Sequence, residues 1–205
     1  MAKPSSTLFE GLQRRLIRLD QTRRRVEKLH LSNQISSFDV EQIYSGLFIA
    51  AFVSFERYIE ELFVGYLTGQ VTLPRKHGKS KVGFSNTPIA IQVLLSGKKY
   101  LDWVPYQLTK DRAQVYFADG KPFSNLEVAE ERTLDDLHRI RNALAHRSDH
   151  AQDVFSRLVI GSLPLGPREK FPARFLRSAF RANPYQTRFE NYFFEILAIS
   201  KKLSV

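Results

Sequence analysis

Apolar residues recur along this chain at the three-to-four-residue spacing of α-helices, and strand-like alternation is weak. Ser5 and Ser6 are placed to cap a first helix that runs to about His30, with Leu8, Leu12, Leu19, Val26 and Leu29 as its core-facing stripe. Residues 31–38 are polar and turn-like, and Asp39 then caps a second helix over about residues 40–67. The first half of that helix is apolar on nearly every side, at Ile43, Tyr44, Leu47, Phe48, Ile49, Phe52 and Val53. Such a helix is predicted to be buried at a bundle centre or a subunit interface. Thr87 followed by Pro88 opens a short helix over 88–96 that Gly97 stops. Another runs from about Tyr106 to Ala118, ended by Asp119-Gly120. Ser124-Asn125-Leu126-Glu127 has the form of a capping box and opens a helix over about 126–146, with Leu134, Leu137, Ile140 and Leu144 as its stripe. A short helix near 151–158, a Gly/Pro-containing loop at 161–172 and a helical piece near 172–181 follow. Asn183-Pro184 begins a last helix to about Leu203, with Phe189, Phe193, Ile196 and Leu197 inward. The pattern predicts an all-α fold, an up-and-down bundle of four long helices with short ones inserted in the connections.

Composition narrows the class. At roughly 100–200 residues per domain, 205 residues predict a single domain. Its core spans about 40–203, and the basic helix at 5–30 packs on it. With 43% hydrophobic residues the chain has the material for a core. The absence of cysteine excludes disulfides, thiolate zinc sites and a cysteine nucleophile, and fits a cytoplasmic location. Met1-Ala2-Lys3-Pro4 shows no apolar signal-peptide region. The apolar run from Leu47 to Phe55 is broken by Glu56, Arg57, Glu60 and Glu61, far short of the ~20 residues a bilayer span needs. No membrane partner is expected.

The net charge of +10 favours polyanionic partners. Seven cations fall between positions 14 and 28, against only Asp20 and Glu27. A solvated face is the plainer account of them, and a nucleic-acid backbone contact through Arg14, Arg18, Arg24 and Arg25 the sharper one. The loop at 75–81 adds Lys76, Lys79 and Lys81, with Gly78 and Ser80 allowing backbone N–H groups to approach phosphates. It lacks P-loop glycine spacing, and His77 within it is expected to be exposed. His146 and His150 are four apart but have no third ligand in pattern, so no metal site is expected.

Candidate chemistry concentrates in Arg139-Ile140-Arg141-Asn142-Ala143-Leu144-Ala145-His146. On an ideal helix Arg141 falls inside the apolar stripe, where a guanidinium that cannot lose its charge needs a carboxylate or a bound anion. Glu56 and Glu60 on the second helix are the nearest carboxylates by pattern. Asn142 and His146 share a face with His138 and Asp135. Arg141 and His146 are five apart, so an unbroken helix separates them by ~140°. To meet one phosphate, the helix must distort after Asn142 or a second subunit must supply the complement.

Residues 141–146 resemble the Arg-x4-6-His motif of the HEPN superfamily, including the polar residue after the arginine. Phe55-Glu56-Arg57-Tyr58-Ile59-Glu60 resembles the second helix of these bundles. Tyr100-Leu101-Asp102-Trp103-Val104-Pro105-Tyr106 and Gly120-Lys121-Pro122-Phe123 resemble the RiboL-PSP-HEPN branch. The likeness covers roughly residues 40–200. It departs from nucleotidyltransferase-partner HEPN toxins, which carry a tyrosine where this chain has Ser148, so that toxin–antitoxin chemistry is not expected. The resemblance implies a metal-independent endoribonuclease without cofactors, often a homodimer with a composite active site. A role as a toxin or antiphage defence effector, with an antitoxin or neighbouring defence protein as partner, belongs to the same implication. In that reading the ribose 2′-OH attacks its own phosphate, His146 is the general base or acid, and Arg141 stabilises charge at phosphorus. Asn142 and Glu56 are supporting groups, and Arg147 joins the cations named above on the RNA. Two plainer readings stand beside it. Arg141 and His146 would be helix-terminal contacts with the dipole, or the chain would be a non-catalytic HEPN module binding RNA or a partner protein.

Overall fold

The computed structural model describes residues 2–146 and 148–204, with Arg75 by its backbone alone. At 72% helix the protein is all-α. Its helices are α1 (Ser5–Leu31), α2 (Ser37–Thr68), α3 (Thr87–Leu95), α4 (Tyr106–Tyr116), α5 (Val128–Ala145), α6 (Asp149–Phe155), α7 (Pro172–Arg177) and α8 (Arg188–Ser204). Two small strand pairs accompany them. β1 (Lys3–Pro4) runs parallel to β2 (Val71–Thr72), and β3 (Ala179–Arg181) runs antiparallel to β4 (Gln186–Thr187).

The long helices follow the hydrophobic period, and the departures have local causes. Ser36, not Asp39, caps α2. The Ser36 Oγ accepts the Asp39 N–H at 3.2 Å while the Asp39 carboxylate accepts the Ser36 N–H at 3.0 Å, a reciprocal pair that starts the helix three residues early. Asn86, not Thr87, caps α3 through its Oδ1 and the Ile89 N–H at 3.0 Å. The box expected at 124–127 does not form, and a single bond three residues later stands in its place. Residues 123–125 form a 3-10 turn, and the Glu130 carboxylate accepts the Glu127 N–H at 2.7 Å. The last helix starts at Arg188 rather than 183, because residues 179–187 form the β3–β4 hairpin. Along α1, Leu12, Leu16 and Val26 are buried as a stripe, but Leu29 is exposed.

The contacts divide the chain into two compact units. One takes the residues up to Gln13, Ser54–Asp135 and those from Leu197 on; the other takes Arg14–Val53 and Asp136–Ile196. In the first, Phe63 lies at the centre of an aromatic cluster, with ring centroids 4.8 Å from Phe123, 4.9 Å from Phe117 and 5.1 Å from Trp103. Aromatic pairs at such separations add to plain burial. The polar edges of this core are bonded. Tyr58 donates to the Ser200 carbonyl at 2.6 Å, Tyr106 to Phe123 O at 2.9 Å, and the Trp103 indole to Glu60 at 2.9 Å. His77, expected to be exposed, is buried in this unit with its Nδ1 3.2 Å from the Asn125 amide nitrogen.

In the second unit, Tyr44, Phe48, Phe189 and Phe193 form the core, and Phe155 meets Phe175 edge to face. Beside them a charged network is buried. Arg23, only 5% exposed, bonds Asp20 at 2.8 Å, Glu190 at 2.5 Å and the Tyr44 hydroxyl at 3.4 Å. Glu27 accepts from Tyr44 at 2.7 Å and from two nitrogens of Arg177 at 3.0 Å each. Burial alone would raise the Glu27 carboxyl, but the hydrogen bonds from Arg177 and Tyr44 outweigh it and hold it below the ordinary glutamate value. Asp20 is likewise held low, by Arg24 and Arg23 against its own burial.

Candidate active site

The last turn of α5 carries Arg141 and Asn142, and His146 follows directly where the helix ends at Ala145. The chain turns at once into α6. The His146 N–H still donates to Asn142 O at 2.8 Å, and the Ser148 hydroxyl accepts the Ala151 N–H at 3.3 Å as the next N-cap. This sharp exit leaves the His146 side chain exposed.

Arg141 is half-buried. Its guanidinium carbon lies 5.9 Å from the Phe52 ring centroid, and the His138 ring stacks on the same phenyl group at 6.3 Å. Arg141 Nη1 donates to Asn142 Oδ1 at 2.9 Å and stands 3.5 Å from His146 Nε2. The Asn142 Nδ2 lies 3.2 Å from His138 Nε2. A chain of polar contacts therefore runs His138–Asn142–Arg141–His146.

Hydrogen-bonding chemistry fixes its polarity. A guanidinium has only donors, so Asn142 must turn its oxygen to Arg141. Its NH2 then faces His138, whose Nε2 must offer a lone pair. Donation from Arg141 to His146 likewise requires a lone pair on His146 Nε2. In this arrangement His146 turns its Nε2 toward the cation at 3.5 Å. Arg141 Nε is buried and makes no hydrogen bond among the described residues, a donor left open in a setting where buried polar groups are nearly always bonded.

The expectation that one chain cannot bring Arg141 and His146 together without distortion is overturned. α5 is continuous to Ala145, and the pair meets because the arginine side chain is long and His146 lies beyond the last helical residue. Glu56 is half-buried on α2, within the unit that includes Ser54–Asp135. Glu60 is engaged by Trp103. Arg14, Arg18 and Arg25 are exposed on α1, within ~40° of one another at ~100° per residue. Arg24 is exposed but paired with Asp20 at 2.7 Å. Lys76 and Lys79 are exposed in the other unit, as is Lys81, whose ammonium donates to Gln114 O at 2.6 Å. Arg147 lies outside the described residues. Among those residues no three His, Asp or Glu side chains gather where they would hold a metal ion, and no helix is long and apolar enough to cross a membrane.

Sequence reasoning put His138 on the right face without giving it a partner, although its four-residue spacing from Asn142 is the signal. Phe52, from 89 positions upstream of Arg141, carries no such signal. No protein-family model, curated protein or solved structure matches the chain.

Proposed function

We propose that this protein is a HEPN-type endoribonuclease whose catalytic pair is Arg141 and His146. The observation that carries the reading is the approach of Arg141 Nη1 to His146 Nε2 at 3.5 Å, with both side chains accessible at the end of α5. A single phosphodiester placed between them would meet a donor and a base together. The 2′-OH gives its proton to His146 Nε2 as its oxygen bonds to phosphorus, the P–O5′ bond breaks, and the leaving oxygen takes a proton from an acid. The products are a 2′,3′-cyclic phosphate and a 5′-OH. Arg141 holds a non-bridging oxygen as charge builds on it. Asn142 positions Arg141. In a homodimer, a second copy's His146 supplies the acid. No metal ion or cofactor enters this chemistry, and the exposed cations of α1 and of the 75–81 loop, with Arg147, contact the RNA backbone. The proposed setting is cytoplasmic, as a toxin or antiphage effector restrained by a neighbouring protein.

Purified wild type is expected to cut RNA but not DNA in EDTA, and His146→Ala to keep its fold and lose the cutting. Intact RNA after incubation with wild type, or cleavage retained by His146→Ala, overturns the assignment. The exposed stripe Arg14, Arg18 and Arg25 favours a second reading, a module that binds RNA without turnover. In that case an Arg141→Ala/His146→Ala double variant binds RNA unchanged and wild type cuts nothing.

A further inference from the structure

The hairpin β3–β4 and helix α7 build a cleft that the α5 site does not use. It encloses about 670 Å³, within the roughly 300–1,000 Å³ of ordinary ligand clefts. Arg168, Arg174, Arg177, Tyr185, Glu27 and Glu41 are among the residues that line it. By formal charge the cleft is close to neutral, because four arginines face four glutamates. Hydrogen-bonding capacity decides what it offers.

Each acid already holds at least one donor. Glu27 takes three donors, from Tyr44 and Arg177. Glu190 takes Arg23 on one oxygen and the Thr187 N–H and hydroxyl, both at 2.9 Å, on the other. Glu41 accepts Arg174 Nε at 2.6 Å, and Glu169 accepts the Gly166 N–H at 2.8 Å. The arginines are not exhausted. Each guanidinium carries five N–H donors in a fixed fork. Arg174 uses its Nε, Arg177 its Nε and Nη2, and Arg168 makes no ion pair or hydrogen bond among the described residues. The cleft presents unused guanidinium donors on Arg168 and Arg174, beside carboxylates that each already hold at least one donor, and so favours a ligand rich in acceptors. Beyond the lining residues, the stretch 166–188 adds Lys170, Arg181 and Arg188 and no acid. The hairpin also carries two aromatic rings into solvent, with Phe180 50% and Tyr185 67% exposed.

We infer that this cleft binds a single-stranded stretch of RNA, its phosphates on Arg168 and Arg174 and a base stacked on Tyr185. Acceptor-only phosphates satisfy the free donors, and an exposed phenol ring offers a π-face that accepts any base. A duplex keeps its bases stacked internally and cannot use Tyr185. The inference rests on the ribonuclease reading for its choice of RNA, and names where the strand is gripped rather than where it is cut.

The test uses the full chain carrying His146→Ala to prevent turnover, and fluorescence anisotropy of a labelled 12-residue oligouridylate. Tyr185→Ala is expected to weaken binding by about 5- to 150-fold, the range for loss of one base–aromatic stack, while Tyr185→Phe binds as the parent does. Arg168→Gln is expected to shallow the log–log salt slope by about 0.7, the loss of one single-strand phosphate contact. A 12-base-pair RNA duplex and uridine monophosphate are expected to compete poorly. Both side chains are exposed, so the fold is expected to survive both changes, which circular dichroism checks. Parental affinity in Tyr185→Ala and Arg168→Gln overturns the cleft and leaves the Arg141–His146 assignment standing. Equal competition by the duplex or the mononucleotide also overturns it. Failure of the parent to bind any RNA at low salt removes both proposals.

Discussion

Asn142 is the residue on which the geometry of the α5 site turns, because its two amide atoms face opposite demands. The oxygen answers Arg141 and the nitrogen answers His138. Replacing His138 by phenylalanine keeps a ring over Phe52 and removes the acceptor. His138→Phe is expected to slow RNA cleavage by about 10- to 100-fold, the range for a misplaced catalytic group, mainly in kcat. His138→Gln, which restores an acceptor oxygen, is expected to recover most of the rate. The Asn142 side-chain amide resonances report the relay independently of activity: they should move in His138→Phe and stay near the parental position in His138→Gln. A wild-type rate and unmoved resonances in His138→Phe would discard the relay. At this scale the sequence was informative where spacing is local. Arg141, Asn142, His138 and His146 all fall within nine residues. What it misjudged was reach: helical-wheel angles follow Cα positions, and a guanidinium on a long flexible stem closes a gap that those angles leave open.

Among the elements, α2 shows how a backbone approach is built into the chain. Gly65 has no Cβ because one would stand 2.4 Å from Val71 Cγ2 on β2. Gly65→Ala gains roughly 1 kcal/mol of helix propensity but forces an overlap that costs about 1–3 kcal/mol. A net loss is expected in urea unfolding, and stabilisation would contradict the packing described. The polar network joining α1, α2 and α7 carries a different prediction. The Glu27 carboxyl is held below its ordinary value. Its contribution to stability is therefore full above the unfolded glutamate pKa of about 4.3 and is lost as pH falls below it. Urea midpoints measured from pH 7 to pH 3 should drop through the acid range, and Glu27→Gln should flatten that drop. An identical pH dependence in the variant would remove the assignment. The long helices were readable because their periods repeat over many turns. The β3–β4 hairpin was not, since strands of two and three residues are too short to show alternation, and Asn183-Pro184 resembles a helix start as much as a turn. The caps moved for a related reason: serine, asparagine and aspartate cluster at helix starts, and only the bonded pair reveals which one takes the cap.

For the whole molecule, a charge of +10 sets long-range attraction to polyanions, and its exposed part on α1 is directional. Arg14, Arg18 and Arg25 share one face of that helix. If they contact RNA phosphates, the combined Arg14→Gln, Arg18→Gln and Arg25→Gln variant should lower the salt slope of single-strand binding by about 2, at ~0.7 per contact. An unaltered slope would confine RNA contact to other surfaces. Charge was visible from composition, whereas the cleft was not, because its lining comes from segments more than a hundred positions apart. One consequence follows from the meeting of Arg141 and His146 within a single polypeptide. Dilution does not separate them, so the pair is as complete in an isolated copy as in a crowded one. On the proposed reading, covering the end of α5 would block the pair directly, whereas keeping copies apart would leave it assembled and remove only the acid that a second copy supplies.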